Sequence, residues 1–216
     1  MKKGDFLWIL ILGAIVYFMV SSSVYSTLVS TQPYLVGFIK FFVLATMGEL
    51  LANRMMLKKW EKTLGMLQKA IMWGFYGMLI TLMFKIFASG TQIAMETKML
   101  PGLGNNLLFA FFASTLMNVF FAPVMMGMHK ITDMYIDMTL TSNEKVTMND
   151  AIANVDWVGF INFIVLKTIP LFWIPAHTIS FLMPENMRVM LAALLSIAFG
   201  VIVAYSKLRK TSKLVY

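Results

Sequence analysis

Six apolar stretches, each about 20 residues long, follow one another along this chain of 216 residues. They cover residues 6–29, 34–53, 70–89, 107–128, 157–175 and 187–206. A helix of about 20 residues crosses the hydrocarbon core of a bilayer, because each residue adds about 1.5 Å of length. No stretch alternates apolar and polar residues as an outer-membrane strand would. We therefore predict an all-α fold, a single domain that forms a polytopic bundle of six transmembrane helices.

The composition supports a membrane protein and excludes several classes of site. Apolar residues make up 59% of the chain and charged residues 13%, against about 45–50% and about 25% in soluble domains. There is no cysteine, and the two histidines cannot form a metal site by themselves. We predict no metal and no cofactor. The net charge of +8 could indicate nucleic-acid binding, but no basic domain lies outside the spans, so we predict none.

The first stretch resembles a secretory signal peptide at first sight. Its apolar run, residues 6–29, is longer than the roughly 7–15 residues of a signal-peptide core, and no A-x-A-like site closes it. We expect it to be retained as the first span.

Basic residues alternate between the connections, which predicts an orientation. One group precedes the first span, follows the second and follows the sixth: Lys2, Lys3, Arg54, Lys58, Lys59, Lys62, Lys69, Lys207, Arg209, Lys210 and Lys213. The connection 129–156, which has a net acidic charge, falls on the same side, and the connections on the opposite side carry only Lys98 and Arg188. Since cytoplasmic loops are rich in lysine and arginine, both termini should be cytoplasmic, in the plasma membrane if the source is bacterial.

Polar residues inside the spans form stripes at helical spacing. Thr46, Glu49 and Asn53 share one face of the second span, as residues at i, i+3 and i+7 do. The candidates for a solute pathway are Thr46, Glu49, Asn53, Thr81, Lys85, Asn118 and Lys167. Lys167 lies in mid-span, which indicates that the fifth helix faces protein or water there.

Several of these residues admit more than one interpretation. Glu49 and Lys85 could form a structural ion pair between helices or line an aqueous path. Glu49 and Lys40 lie on opposite faces of one helix and must have different neighbours. Asp133 and Asp137 are predicted to lie in a solvated loop. The small residues of the sixth span, at steps of four from Ala192 to Ala204, favour close helix packing.

The second span resembles the opening of the Mpv17/PMP22 family of small organellar membrane proteins. The match starts with Tyr25 and Pro33 and continues with Gly48-Glu49-Leu50-Leu51-Ala52-Asn53, where the family has Gly-Asp-x-x-x-Gln. Its Asp-Gln-x-x-x-x-Pro resembles residues 117–123, and its C-terminal signature resembles residues 173–188. The Gly-Pro expected in the third span is absent. The resemblance implies a channel-like function for small solutes and four core helices.

The leading hypothesis is a channel or permease whose partners are the lipid bilayer and a small-molecule solute. Two alternatives stay open: a substrate-binding membrane subunit of a multi-component importer, and a non-transporting membrane scaffold. Homo-oligomerisation is compatible with all three. We predict no enzyme and no catalytic residues, because the spans hold no Ser-His, His-x-x-x-His or paired-aspartate arrangement.

Overall fold

The computed structural model describes the backbone of residues 3–213 and the side chains of residues 3–205 and 208. The side chains of Ser206 and of the predicted cytoplasmic residues Lys2, Lys207, Arg209, Lys210 and Lys213 lie outside this description. Within residues 3–213 the chain is helical and contains no strand.

The described chain contains ten α-helices and two π-helical segments. The α-helices are α1 (Lys3–Ser21), α2 (Ser23–Thr31), α3 (Pro33–Leu57), α4 (Met66–Glu96), α5 (Asn106–Leu116), α6 (Ala122–Thr141), α7 (Met148–Asn154), α8 (Trp157–Gly159), α9 (Ile174–Leu182) and α10 (Glu185–Lys213). Segment π1 (Met117–Phe121) joins α5 to α6, and segment π2 (Phe160–Trp173) joins α8 to α9.

Six helical stretches are long and apolar enough to cross a membrane. They are Lys3–Ser21, Pro33–Leu57, Met66–Glu96, Asn106–Thr141, Trp157–Leu182 and Glu185–Tyr205. The predicted all-α bundle of six long apolar helices is thereby confirmed, and the protein is integral to the membrane. The cytoplasmic position of both termini stays a prediction.

Three boundaries differ from the sequence prediction. The first stretch breaks after Ser21, because Ser22 accepts a hydrogen bond from the Tyr25 amide at 3.2 Å and starts a new helix. The fourth span continues beyond residue 128 to Thr141, since a helix can leave the hydrocarbon and remain helical. The fifth span continues beyond residue 175 to Leu182, and its helix takes the wider π form around Pro170.

Helix α3 lies between α4 and α10, and two glycine contacts set its distance from each. A Cβ atom on Gly77 of α4 would lie 2.7 Å from the Phe41 Cβ and would also meet the Gly37 carbonyl oxygen. A Cβ atom on Gly200 of α10 would lie 3.0 Å from the Gly48 carbonyl oxygen. Small residues allow helices in a membrane to approach this closely, so α3 is the central helix of the bundle.

The two ends of the bundle can be told apart by their charge. At one end, Asp5 of α1 accepts two hydrogen bonds from Arg54 at 2.9 and 3.2 Å and one from the Trp60 indole at 2.9 Å. We call this end, which carries the basic connection 58–65, the basic end. The other end, which carries connections 97–105 and 183–184, is the distal end.

Candidate functional site

Two cavities lie inside the bundle, one toward each end. The histidine cavity, named for His129 and His177, has a volume of about 570 Å³ and reaches Lys69 and Thr63 at the basic end. The lysine cavity, named for Lys40 and Lys85, has a volume of about 680 Å³ at the distal end. Both volumes fall in the roughly 300–1,000 Å³ range of small-molecule sites.

The charged groups of the histidine cavity are largely paired with one another. Lys69, which is buried, places its Nζ 2.7 Å from Asp137 Oδ1. His129 Nδ1 lies 3.5 Å from Asp133 Oδ2, one helical turn away on α6. The Glu49 carboxyl interacts electrostatically with Lys69 and with both aspartates. The cavity therefore holds three carboxyl groups, Glu49, Asp133 and Asp137, beside two amines, Lys69 and Lys130, so its acidic groups are in excess and its buried lysine has a carboxylate partner.

A buried hydrogen-bond network forms the deep wall of this cavity. Asn118 of π1 is 1% exposed and donates to the Ser114 carbonyl oxygen at 2.8 Å. Its amide also meets Nδ1 of His177 on α9, with Nδ2 at 3.0 Å and Oδ1 at 3.2 Å. Ser114 Oγ in turn donates to the Ile174 carbonyl oxygen at 2.7 Å. The network thus ties the fourth span, where it enters π1, to the fifth span, where it leaves π2.

Four polar atoms in the wall of the histidine cavity have no hydrogen-bond partner among the described residues. They are Thr63 Oγ1, His129 Nε2, Asp133 Oδ1 and Trp173 Nε1. Two of them belong to rings that pack together with aromatic neighbours, since His129 lies 4.1 Å from the Trp73 ring and Trp173 lies 5.1 Å from the His177 ring. Unpaired buried polar atoms are costly, and a polar solute in the cavity could satisfy them.

Phe84 separates the two cavities and is the one described residue that lines both. Its ring is 3% exposed and stacks on Phe181 at 4.9 Å. On the histidine-cavity side it meets the His177 ring edge-on at 5.4 Å. On the other side, the Arg188 guanidinium lies 5.7 Å from the Phe181 ring. The partition is therefore a thin aromatic layer.

The lysine cavity is lined by three basic side chains, Lys40, Lys85 and Arg188, and by one acidic side chain, Glu185. Glu185 Oε1 accepts from Lys85 Nζ at 2.6 Å, and both side chains are about two-thirds exposed. The first turns of α3 and α10 also form part of the wall, through Pro33 and Asn186.

The predicted pathway residues fall into three groups. Glu49, Asn53 and Asn118 line the histidine cavity. Thr81 and Lys85 line the lysine cavity, so Lys85 pairs with Glu185 and the pair weighed between Lys85 and Glu49 does not form.

Two predicted residues line neither cavity. Thr46 is half-buried and donates to the Phe42 carbonyl oxygen of its own helix at 2.6 Å. Lys167 is exposed. Of the two surroundings predicted for it, protein or water, the exposure excludes burial against protein, and water stays a prediction.

Sequence reasoning missed the acidic side of the histidine cavity. Asp133 and Asp137 were expected in a solvated loop, whereas α6 continues through them and turns both toward the cavity. Their spacing of four residues, which continues the step from His129 to Asp133, was the available signal. The sixth-span residues Ala192, Ser196, Gly200 and Ala204 line the cavity as well as packing on α3.

Comparison with known proteins gives no match: no protein-family model, no curated protein and no solved structure matches this chain.

Proposed function

We propose that this membrane protein is a channel or permease for small polar solutes. The observation that carries the proposal is Phe84, a single buried side chain that forms the wall of two cavities at opposite ends of the bundle. Two solute-sized cavities that are closed from each other by a thin layer form the arrangement that alternate access or gated conduction needs. The same function is the one that a resemblance to the Mpv17/PMP22 family would imply, although no family model matches the chain.

Movement of the Phe84 ring would connect the two cavities. Its neighbours Phe181 and His177 hold it by ring contacts, which are weaker and less directional than a hydrogen-bonded closure. A solute in the histidine cavity would meet the unpaired atoms of His129, Asp133 and Trp173, and would leave through the lysine cavity when the ring turns. The polar walls and the apolar partition together favour small polar solutes over bulk ions.

The absence of cysteine allows a direct test of the pathway. Ser196→Cys places a thiol in the histidine cavity and Ser89→Cys places one in the lysine cavity. Val119→Cys is the control, because Val119 is 50% exposed on the outside of the bundle and lines neither cavity. Each purified variant is reconstituted into liposomes, and the flux of solutes of graded size is measured before and after a charged, membrane-impermeant thiol reagent is added.

We expect the reagent to block flux through the two cavity variants from opposite sides of the membrane and to leave the Val119→Cys variant unaffected. Wild-type protein that shows no flux for any solute, but co-purifies with a tightly bound ligand, would instead support the importer subunit. Loss of flux in the Val119→Cys variant alone would contradict the assigned path.

A further inference from the structure

Lys40 has an unusual position for a lysine in a membrane-spanning helix. It lies two turns into α3, is 6% exposed and lines the lysine cavity. Its Nζ lies 5.6 Å from the centre of the Tyr25 ring. No carboxylate of the described residues lies within 4 Å of it, whereas Lys69 and Lys85 each have one. A buried ammonium without a counter-charge is costly in a membrane.

The other charges around this cavity do not compensate Lys40. The one acidic side chain in the wall, Glu185, is bound to Lys85 at the exposed rim. Arg188 adds a further cation, and its position is fixed because Nε donates to the Met183 carbonyl oxygen at 3.1 Å. The guanidinium also lies against the Phe109 ring, 5.8 Å from its centre. A fixed cation stacked on aromatic rings keeps its remaining N–H groups available.

The helix ends at this cavity do not add a separate positive charge. Helix α3 starts at Pro33 directly after α2 ends at Thr31, and α10 starts at Glu185 soon after α9 ends at Leu182. Since the C-terminus of a helix carries a partial negative charge and the N-terminus a partial positive one, the two ends offset each other at each junction. The side chains of the uncompensated Lys40 and of the fixed Arg188 therefore point to an anionic ligand.

We propose that the lysine cavity is a binding site for a small organic carboxylate, with Lys40 as its principal counter-charge. The wall supplies the complementary apolar surface for the rest of the molecule through Phe84, Phe109, Leu82 and Val189. This inference rests on the proposed function, since the cavity would bind the solute at the distal end of the same path. Its test is equilibrium binding, which does not depend on flux.

The experiment uses purified full-length protein in a neutral detergent, with sodium benzoate as the probe and benzamide as its uncharged counterpart. Binding is followed by calorimetry and by the shift in melting temperature. Lys40→Met removes the charge and keeps an apolar side chain of similar length. Lys98→Met is the matched control, because Lys98 is an exposed lysine at the same end that lines neither cavity.

We expect benzoate to bind wild-type protein and the Lys98→Met variant alike, and to bind the Lys40→Met variant about tenfold or more weakly, since a charge-assisted hydrogen bond is lost. Benzamide should bind none of them. Without ligand, the Lys40→Met variant should melt no lower than wild type, because a buried charge has been removed. If this variant does not fold, Lys40→Gln replaces it.

Equal binding of benzoate to wild type and the Lys40→Met variant would overturn the proposal, as would benzamide binding as tightly as benzoate. A Lys40-dependent stabilisation by phosphatidylglycerol, with none by benzoate, would reject the solute and assign the site to a lipid headgroup. Benzoate binding without any flux in liposomes would keep this site and reject the channel. Flux of neutral solutes without benzoate binding would support the channel and reject the carboxylate site.

Discussion

The two cavities have similar volumes and share the Phe84 ring, yet they differ in whether the buried lysine in each has a carboxylate partner. In the histidine cavity, carboxylates, amines and a histidine pair with one another, as Lys69 does with Asp137. In the lysine cavity, the buried Lys40 is left without a carboxylate among the described residues while the acidic partner is bound at the rim. A cavity whose buried lysine already has a carboxylate partner tolerates neutral solutes, whereas one with an uncompensated cation favours an anionic ligand.

The largest expected effect comes from removing the partition. Phe84→Ala should join the two cavities and raise solute flux several-fold, and it should cost about 3–5 kcal/mol of stability because a buried ring is lost. Phe84→Leu, which retains part of the wall, should be intermediate in both respects. Flux in liposomes and unfolding in detergent are measured on the same preparations.

Phe111→Ala is the matched control for this pair, because Phe111 is 44% exposed and lines neither cavity. A folded Phe84→Ala variant with wild-type flux would show that the two cavities are not parts of one path.

Asn118 should matter to the histidine cavity alone. Asn118→Ala leaves the His177 Nδ1 and the Ser114 carbonyl oxygen without their amide partner, and it should cost about 1–3 kcal/mol, as the loss of one partner in a buried pair does. Asn162→Ala, at an exposed position of the fifth span, should cost almost nothing. Chemical unfolding followed by tryptophan fluorescence gives both values.

Benzoate binding to the lysine cavity is the second measurement on the same variant. It should be unchanged in folded Asn118→Ala protein. A parallel loss of benzoate affinity would mean that the two cavities are coupled through Phe84 and His177.

Glu49 should control charge selectivity at the basic end. Glu49→Gln keeps the shape of the side chain and removes its charge, which is worth roughly 1 kcal/mol to an ion a few ångströms away, or about fivefold in the flux of a cation and about fivefold, in the opposite direction, in the flux of an anion. The cation-to-anion flux ratio is measured in liposomes with matched cationic and anionic solutes. Folding should largely survive, because Lys69 retains Asp137 as its partner. An unchanged ratio with a lowered melting temperature would make Glu49 a structural residue.

The smallest effect is expected at Asp150, an acidic residue of α7 outside both cavities. The Thr147 amide and hydroxyl donate to its carboxylate at 2.8 and 2.6 Å, and these bonds hold the pKa of Asp150 below its ordinary value of 3.8. The contribution of this cap to the free energy of unfolding is therefore complete at pH values above the ordinary pKa. It is lost as the pH falls through the lowered pKa of the folded protein. Asp150→Asn should slightly reduce the dependence of the melting temperature on pH over that acidic range.

Asp150→Asn also serves as a control for Glu49→Gln in the measurement of charge selectivity. It should leave the cation-to-anion flux ratio unchanged, because the removed charge lies in solvent. A changed ratio would show that charges on the protein surface, rather than those in the cavity wall, select the solute.

The apolar stretches were sufficient to predict the six spans, because hydrophobic length is a local property of the sequence. Helical spacing also put Glu49 and Asn53 on one face of the second span, whereas the partner of Asn118, His177, lies 59 residues away and had no local signal. Asp133 and Asp137 were misplaced because hydropathy marks where the lipid ends and not where the helix ends. Helical spacing put Lys40 on the face opposite Glu49, but only the positions of Glu185 and Arg188 show that no carboxylate in the described wall balances it.

Lys167 has a consequence for the bilayer itself. Its side chain is exposed close to the middle of the Trp157–Leu182 helix. A lysine in that position extends toward the headgroups and draws water and lipid phosphate inward, so the hydrocarbon layer becomes thinner beside it. We therefore expect the membrane around this protein to be uneven, with a local depression along the fifth span, and thin bilayers to hold the protein with less deformation than thick ones.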